Sequence, residues 1–165
     1  MAALITPESI AGESEHSQQA ALFCWAALNE RNDFRLKLLH AIPNGANFGD
    51  DKKSRRIRGS RMKQEGLKTG VPDVFLPVPA PSIHDPNYGG INRVWYSGLY
   101  IEMKRPDARY KKKTPAHKWD TGGVDPEQVV WLTMLEQQGY KCVVCYGWYE
   151  AANEIKFYLT GSGLE

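Results

Sequence analysis

Two short stretches of the sequence place charged side chains among apolar neighbours. The first, VPDVF, contains Asp73, and the second, GLYIEMKRP, contains Glu102 and Lys104. Both stretches have the composition of β-strands, and successive side chains of a strand point to opposite faces. Glu102 and Lys104 therefore share one face of the second strand, whereas the apolar Ile101 and Met103 share the other and can pack against a core.

Two carboxylates that converge from neighbouring strands suit a hard divalent cation. Mg²⁺ and Mn²⁺ prefer carboxylate oxygens, keep several waters and accept phosphate oxygens in the remaining positions. Such a cation lowers the pKa of a bound water, and a nearby lysine can orient that water or stabilise the transition state. The pattern thus predicts a phosphodiester-cleaving site at Asp73, Glu102 and Lys104. The alternative is a surface salt bridge between Glu102 and Lys104, with Asp73 as a turn residue.

Length and composition indicate one ordinary globular domain. The chain has 165 residues, of which 42% are hydrophobic, and a formal net charge of +2. No apolar run approaches the ~20 residues that span a bilayer. The N-terminal segment lacks a basic region followed by an apolar one, so it is not a secretory signal. We therefore expect a soluble, cytoplasmic protein with a single domain over residues 1–165.

The three cysteines, Cys24, Cys142 and Cys145, are too few and too odd in number for a disulfide framework. The last two form a CxxC, but no second such pair exists to complete a zinc site. We expect all three to be small core residues.

Several segments have the patterns of helices and strands that would position the charged side chains. A first helix is predicted over SEHSQQAALFCWAALNE, with Ser14 as the N-cap. Its apolar stripe would comprise Ala21, Leu22, Trp25 and Leu28. The other predicted elements are a basic helix over SRRIRGSRMKQEG, the strands VPDVFLPV, LYIEMKR and CVVCYGW, and a closing helix over YEAANEIKFYL.

The clearest helix follows the charged strand, in GGVDPEQVVWLTMLEQQGYK. Asp125 would be its N-cap, Gln128 stands where a capping box places its second side chain, and Gly139 would end it. The order of the elements indicates an α/β fold with a mixed central β-sheet flanked by helices.

Two basic runs flank the acidic residues. One lies between Lys52 and Lys68, and the other, KRPDARYKKKTPAHK, follows the charged strand. Either run alone is typical of a solvated face. Two of them around one acidic site indicate a polyanionic partner, of which nucleic acid is the commonest.

The succession GVPDVFLPV, GLYIEMKRP and VDPEQVVWLTMLEQQGY resembles the PD-(D/E)XK nucleases and, among them, the VRR-NUC domain of stand-alone phage and bacterial proteins. AIPNG, MKQEGLKTGVPDVFL and DPEQ are similar to the same group, so the resemblance covers a core from about Glu15 to Leu159. It implies a restriction-endonuclease-like core and an endonuclease that depends on Mg²⁺ or Mn²⁺. The implied substrate is DNA, either duplex or branched as in a flap or four-way junction, in a bacterial or phage-infected cell.

The resemblance also implies roles for single residues at the metal. Asp73 and Glu102 would be metal ligands, together with the main-chain carbonyl of Met103, and Lys104 would be the catalytic lysine.

Glu15 would offer a further acid to the metal and is counted with the catalytic residues, although Glu13 is close enough to leave the register open. Gln128 would face the active site, and its alternative role is that of a capping partner for Asp125 alone. DNA contacts are expected from Arg61, Lys63, Lys68, Arg105 and Asn44.

The sequence allows two alternatives each for the role of the long insert, for the oligomeric state and for the function. The insert PAPSIHDPNYGGINRVWYS is longer than the family connection needs, and it is either a substrate-contacting hairpin or an idle loop. A homodimer could form through VWYSGLY or IKFYL, unless those residues lie in the chain's own core. The alternative function is a basic DNA-binding module whose acids are structural.

Overall fold

The computed structural model describes residues 12–43, 52–81, 95–110, 118–119, 122–161 and 163. The helices of these ranges are α1 (Glu15–Asn29), α2 (Lys52–Gln64), α3 (Pro126–Gln137) and α4 (Trp148–Thr160), with 3-10 turns at Phe34–Leu38 and Pro106–Tyr110. The strands are β1 (His40–Ala41), β2 (Val74–Leu76), β3 (Ala80–Pro81), β4 (Trp95–Tyr96), β5 (Leu99–Lys104) and β6 (Lys141–Tyr146).

Four strands form one mixed sheet in the order β1-β2-β5-β6. β5 pairs with β2 in antiparallel fashion and with β6 in parallel fashion. A parallel pair needs a long crossover, which here contains α3. Helices α1 and α4 pack together against β5, and α3 packs on β6. The predicted α/β fold with a mixed sheet flanked by helices is confirmed.

The central strand β5 is buried on both of its faces. Leu99, Ile101 and Met103 belong to the larger core cluster, which also contains the buried residues of α1 and α4. The opposite face of β5 carries Glu102 and Lys104, which are buried as well. The alternation predicted from the sequence is therefore correct, but the charged face lies inside the protein and not at its surface.

Helix α1 begins as predicted, because the Ser14 side chain accepts a hydrogen bond from the Ser17 N–H at 3.2 Å. Its predicted apolar stripe is only partly right: Ala21 and Leu22 are buried, but Leu28 is 76% exposed. A helix turns about 100° per residue, so Leu28 lies about 120° around the axis from Leu22.

Helix α1 is fastened to α4 by a buried polar contact. Gln18, one turn before Leu22, is 1% exposed, and its Oε1 accepts a hydrogen bond from the Trp148 N–H at 3.0 Å. This bond satisfies a main-chain donor at the start of α4, where no preceding turn of helix supplies an acceptor.

The cysteines follow the prediction at two of three positions. Cys142 and Cys145 are buried, and burial raises the pKa of Cys142 to about 12. Cys24, however, is exposed, so its assignment to the core is wrong. It follows Leu22 by two residues, a turn of about 200°, which points it away from the core.

The long insert begins and ends as a hairpin, because β3 and β4 pair in antiparallel fashion. Its residues 82–94 lie outside the described ranges.

The segments VWYSGLY and IKFYL were considered for a dimer interface. Three of their residues lie in the chain's own core: Leu99, Ile155 and Tyr158. Trp95, by contrast, is 57% exposed.

In the described ranges, no helix combines the length and the apolar character needed to cross a membrane.

Candidate active site

The register of β2 and β5 brings the two predicted carboxylates together. Val74 pairs with Ile101, so the antiparallel register continued by one residue sets Asp73 opposite Glu102. Opposite residues of an antiparallel pair project to the same face. The Asp73 Oδ2 accepts a hydrogen bond from the Met103 N–H at 2.9 Å, which holds the carboxylate beside β5.

Glu102 and Lys104 form an ion pair with 2.8 Å between Oε1 and Nζ. Their side chains are only 1% and 7% exposed. The salt bridge foreseen as an alternative thus exists, but it is buried and not on the surface. A buried ion pair gains little net stability, whereas loss of one partner costs about 3–5 kcal/mol because a buried charge is left alone.

Gln128 serves two elements at once. Its Oε1 accepts a hydrogen bond from the Asp125 N–H at 2.9 Å, as a capping box requires. Its Nε2 donates to Oε1 of Glu102. The two roles that the sequence left as alternatives therefore coexist, and the start of α3 is tied to the charged face of β5. Gly139 has a φ of +82° beyond the end of α3, as predicted.

The two oxygens of Glu102 differ in their surroundings. Oε1 receives bonds from Lys104 and Gln128, whereas Oε2 is buried and has no hydrogen-bond partner in the described part of the chain. Burial and repulsion by Asp73 raise the pKa of Glu102 to about 8, although Lys104 acts in the opposite direction. Below this pKa the Glu102 carboxyl beside Asp73 therefore holds a proton.

Lys104 stays protonated in this setting. Burial lowers the pKa of its ammonium, but the attraction of Glu102, with smaller contributions from Glu15 and Asp73, raises it further, and the net shift is upward. The site consequently holds a positive charge directly next to Glu102.

The donor set fits a hard divalent cation. Mg²⁺ binds through one or two carboxylates and completes its shell with water and phosphate oxygens. Asp73 would supply one carboxylate, and the buried Oε2 of Glu102 would supply a second. Among the residues that the structure describes, no group of three or more His, Cys, Asp or Glu side chains is placed to hold a metal.

The remaining predicted acids lie at the start of α1. Glu15 is exposed at the first residue of the helix, and Glu13 is exposed just before it. The charge of Glu15 acts on Lys104, but within the described part of the chain Glu15 belongs to no group of three metal-ligating side chains.

The predicted DNA contacts have different environments. Arg61 and Lys63 in α2, and Lys68 just after it, are exposed. Arg105 is half-buried and lies 3.0 Å from the Asp107 carboxylate, so its charge is partly neutralised. Asn44 lies outside the described residues.

Sequence reasoning missed the residues that fix the chain ahead of Asp73. The Ile42 N–H donates to the Asp73 carbonyl at 2.7 Å, and Trp131 Nε1 donates to the Thr69 carbonyl at 2.8 Å. Gly70 has a φ of +82°, and a Cβ there would lie 2.9 Å from the Glu127 carbonyl. The glycine three residues before Asp73 was the available signal, because only glycine tolerates both the conformation and the close approach.

Comparison with known proteins gives a likeness to a solved structure. No protein-family model and no curated protein matches the sequence. Among solved structures, the chain is similar to one described as a VRR_NUC domain protein, with a TM-score of 0.55 and 20% sequence identity. The match covers 92% of this chain and 93% of that one. At this identity the likeness establishes the fold, and the chain therefore has the restriction-endonuclease-like α/β fold of a VRR_NUC domain.

Proposed function

We propose that the chain is a divalent-metal-dependent nuclease that hydrolyses phosphodiester bonds in DNA. The observation that carries this proposal is the buried Glu102 carboxylate beside Asp73 and an ion-paired lysine, with no hydrogen-bond partner for its Oε2 among the described residues. The likeness to a protein named for a VRR_NUC domain supports the same activity. The proposed nuclease domain comprises residues 1–165, with its core at about 15–159.

Asp73 and Glu102 would hold Mg²⁺ or Mn²⁺, with the Met103 carbonyl as a third ligand and Glu15 as a further acid. When bound, such an ion supplies a water of lowered pKa and neutralises charge at the scissile phosphate. Gln128 and Lys104 both bind Oε1 of Glu102, and they thereby leave Oε2 available. Lys104 also supplies a fixed positive charge where negative charge develops in the transition state.

The basic residues of α2 and the segment after it would bind the DNA backbone. Arg61, Lys63 and Lys68 are exposed cations that precede Asp73 in the chain. We extend the proposal to branched DNA, such as a flap or a four-way junction. Symmetric cutting of a junction needs two sites related by a two-fold axis, which a homodimer would supply.

The first prediction concerns the two carboxylates. Asp73→Asn and Glu102→Gln keep the size of each side chain but remove the charge that holds the cation. Each should lower Mg²⁺- or Mn²⁺-dependent cleavage of plasmid and branched DNA about a hundredfold or more, while DNA binding persists. Glu127→Gln, which neutralises an exposed acid at the start of α3, is the matched control. Cleavage near the wild-type rate in either site variant would refute the assignment.

A third variant separates chemistry from metal binding. Lys104→Met should lose most turnover and still bind Mn²⁺, because an ammonium is not a metal ligand. Its melting temperature shows whether the fold survives. Wild-type protein that binds DNA but never cleaves it, with or without EDTA, would favour the DNA-binding module instead.

The second prediction follows from the raised pKa of Glu102, about 8 against an ordinary value of 4.5. The cation must displace the Glu102 proton, so Mn²⁺ affinity should rise with pH by up to about tenfold per unit and level off above pH 8. Without metal, and at a pH between 4.5 and about 8, Glu102 is protonated in the folded chain but ionised in the unfolded chain. Its stability should therefore fall as pH rises through that window.

Calorimetric titration with Mn²⁺ in buffers of different ionisation enthalpy measures how many protons are released when the ion binds. Below pH 8 the wild type should release about one proton per Mn²⁺. Any residual binding by the Glu102→Gln variant should release none. Equal proton release by both proteins would place the titrating group elsewhere.

The third prediction concerns the basic surface. DNA affinity should fall steeply with salt, because phosphate contacts release counterions. Arg61→Gln should reduce the slope of log K against log salt by about 1. Arg31→Gln is the control, since Arg31 is exposed and lies beyond the opposite end of α1 from Glu15. A binding constant that does not change with salt would mean that these charges only solvate the surface.

A further inference from the structure

A surface cavity of about 310 Å³ lies between the end of α2 and the segment that follows β1. Most of its lining is apolar. The lining residues are Ile42, Pro43, Met62, Glu65, Gly66, Leu67, Lys68 and Val71.

The register of the sheet places this cavity next to the candidate active site. β1 pairs with β2 through Ala41 and Val74, so the next pair outward is Ile42 and Asp73. The hydrogen bond from the Ile42 N–H to the Asp73 carbonyl confirms that these residues are adjacent. Opposite residues share a face, and neighbouring strands lie about 4.8 Å apart. One wall of the cavity therefore borders the main chain of Asp73, whose carboxylate lies on the β5 side of the same strand.

The lining selects the chemistry of an occupant. Lys68 supplies one positive charge and Glu65 one negative charge, so the side chains of the cavity are neutral as a set. A phosphate would gain little there and would meet a carboxylate. A neutral, largely apolar group can instead pack against Met62, Leu67 and Val71. Outside the cavity, Arg61 and Lys63 are exposed and can hold the phosphates that flank such a group.

In DNA, the neutral and flat group is a base. A stacked and paired base is not accessible to a side cavity, so an enzyme that binds one in a pocket acts on single-stranded DNA or extrudes the nucleotide. The site for a scissile phosphate is at Asp73 and Glu102, one strand away from the cavity. The occupant would thus belong to a nucleotide close to the bond that is cut.

We propose that this cavity receives the base of one unpaired nucleotide next to the scissile phosphate. The inference rests on the proposed nuclease function and deepens it by naming the substrate class. That class is DNA that is single-stranded, or locally unpaired, at the cleavage site. The cavity selects it because only an unstacked base can enter.

Oligonucleotides with a single abasic position test the inference with the wild-type protein. The cut is mapped on a flapped duplex, and one base at a time is then removed around it. One position should lower kcat/KM about tenfold or more, the size expected for loss of a packed base, while its neighbours change it little. A uniform response, or equal cleavage of a fully paired duplex, would overturn the inference and leave the nuclease function intact.

Filling the cavity gives a second test. Met62→Trp should lower cleavage of the unmodified flap and abolish the sensitivity to the abasic position. Gln64→Trp, two residues along α2 and exposed, is the control and should behave as wild type. Leu67→Trp replaces Met62→Trp if the latter fails to fold by its melting temperature. A filled cavity that leaves the abasic effect unchanged would show that the base binds elsewhere.

A binding measurement keeps the two proposals separate. A fluorescent 2-aminopurine at each position around the strand junction of the flap reports whether the base changes its surroundings when the protein binds, with no cleavage required. One position should respond with wild type and Gln64→Trp but not with Met62→Trp. A fluorescence response without any metal-dependent cleavage would support base binding in the cavity and refute the nuclease function. Metal-dependent cleavage without a fluorescence response would support the nuclease function and refute base binding in the cavity.

Discussion

The arrangement of the site depends on the Glu102 carboxylate, which Lys104 and Gln128 contact through only one of its two oxygens. Lys104 and Gln128 both bind Oε1 of Glu102, and both are placed by main-chain structure: Lys104 by the alternation of β5, and Gln128 by the capping box of α3. Oε2 is buried, and no described residue forms a hydrogen bond with it. Because an unsatisfied buried carboxylate oxygen is costly, Glu102 holds a proton up to a pKa of about 8, and a divalent cation bound beside Asp73 would take the place of that proton.

The rest of the fold keeps this carboxylate away from water. β5 is covered by α1 and α4 on one face, and α3 closes the region around β6 on the other. Both flanking strands are needed, because β2 brings Asp73 into register and β6 supports β5 from the other side. The raised pKa of Glu102 is the electrostatic consequence of that burial and of the second carboxylate. The same enclosure that makes the metal-free site unfavourable would strengthen its hold on a cation.

Local patterns in the sequence were sufficient for the central features. Alternation predicted the two faces of β5, and the capping signals at Asp125, Gln128 and Gly139 predicted the limits of α3. Contacts between distant segments were not predictable in this way. That Gln128 serves both the cap and Glu102 depends on how α3 crosses the sheet. The burial of the Glu102–Lys104 pair depends on the packing of other elements against β5.

The errors have the same origin. Leu28 and Cys24 have apolar or small side chains typical of a core, but the face of α1 that is buried is centred on Leu22, and its position is set by the contact with α4. The bond from Ile42 to Asp73, which places the cavity beside the site, joins segments 31 residues apart in the sequence. No local pattern marks a strand as short as β1.

Anomalous diffraction from crystals grown with Mn²⁺ would show directly whether Asp73 and Glu102 hold a cation. We expect a manganese peak within about 2.0–2.6 Å of a carboxylate oxygen of Asp73 and of Oε2 of Glu102, with Lys104 and Gln128 still bound to Oε1. An absence of anomalous density there, or a manganese ion bound only at other residues, would contradict it.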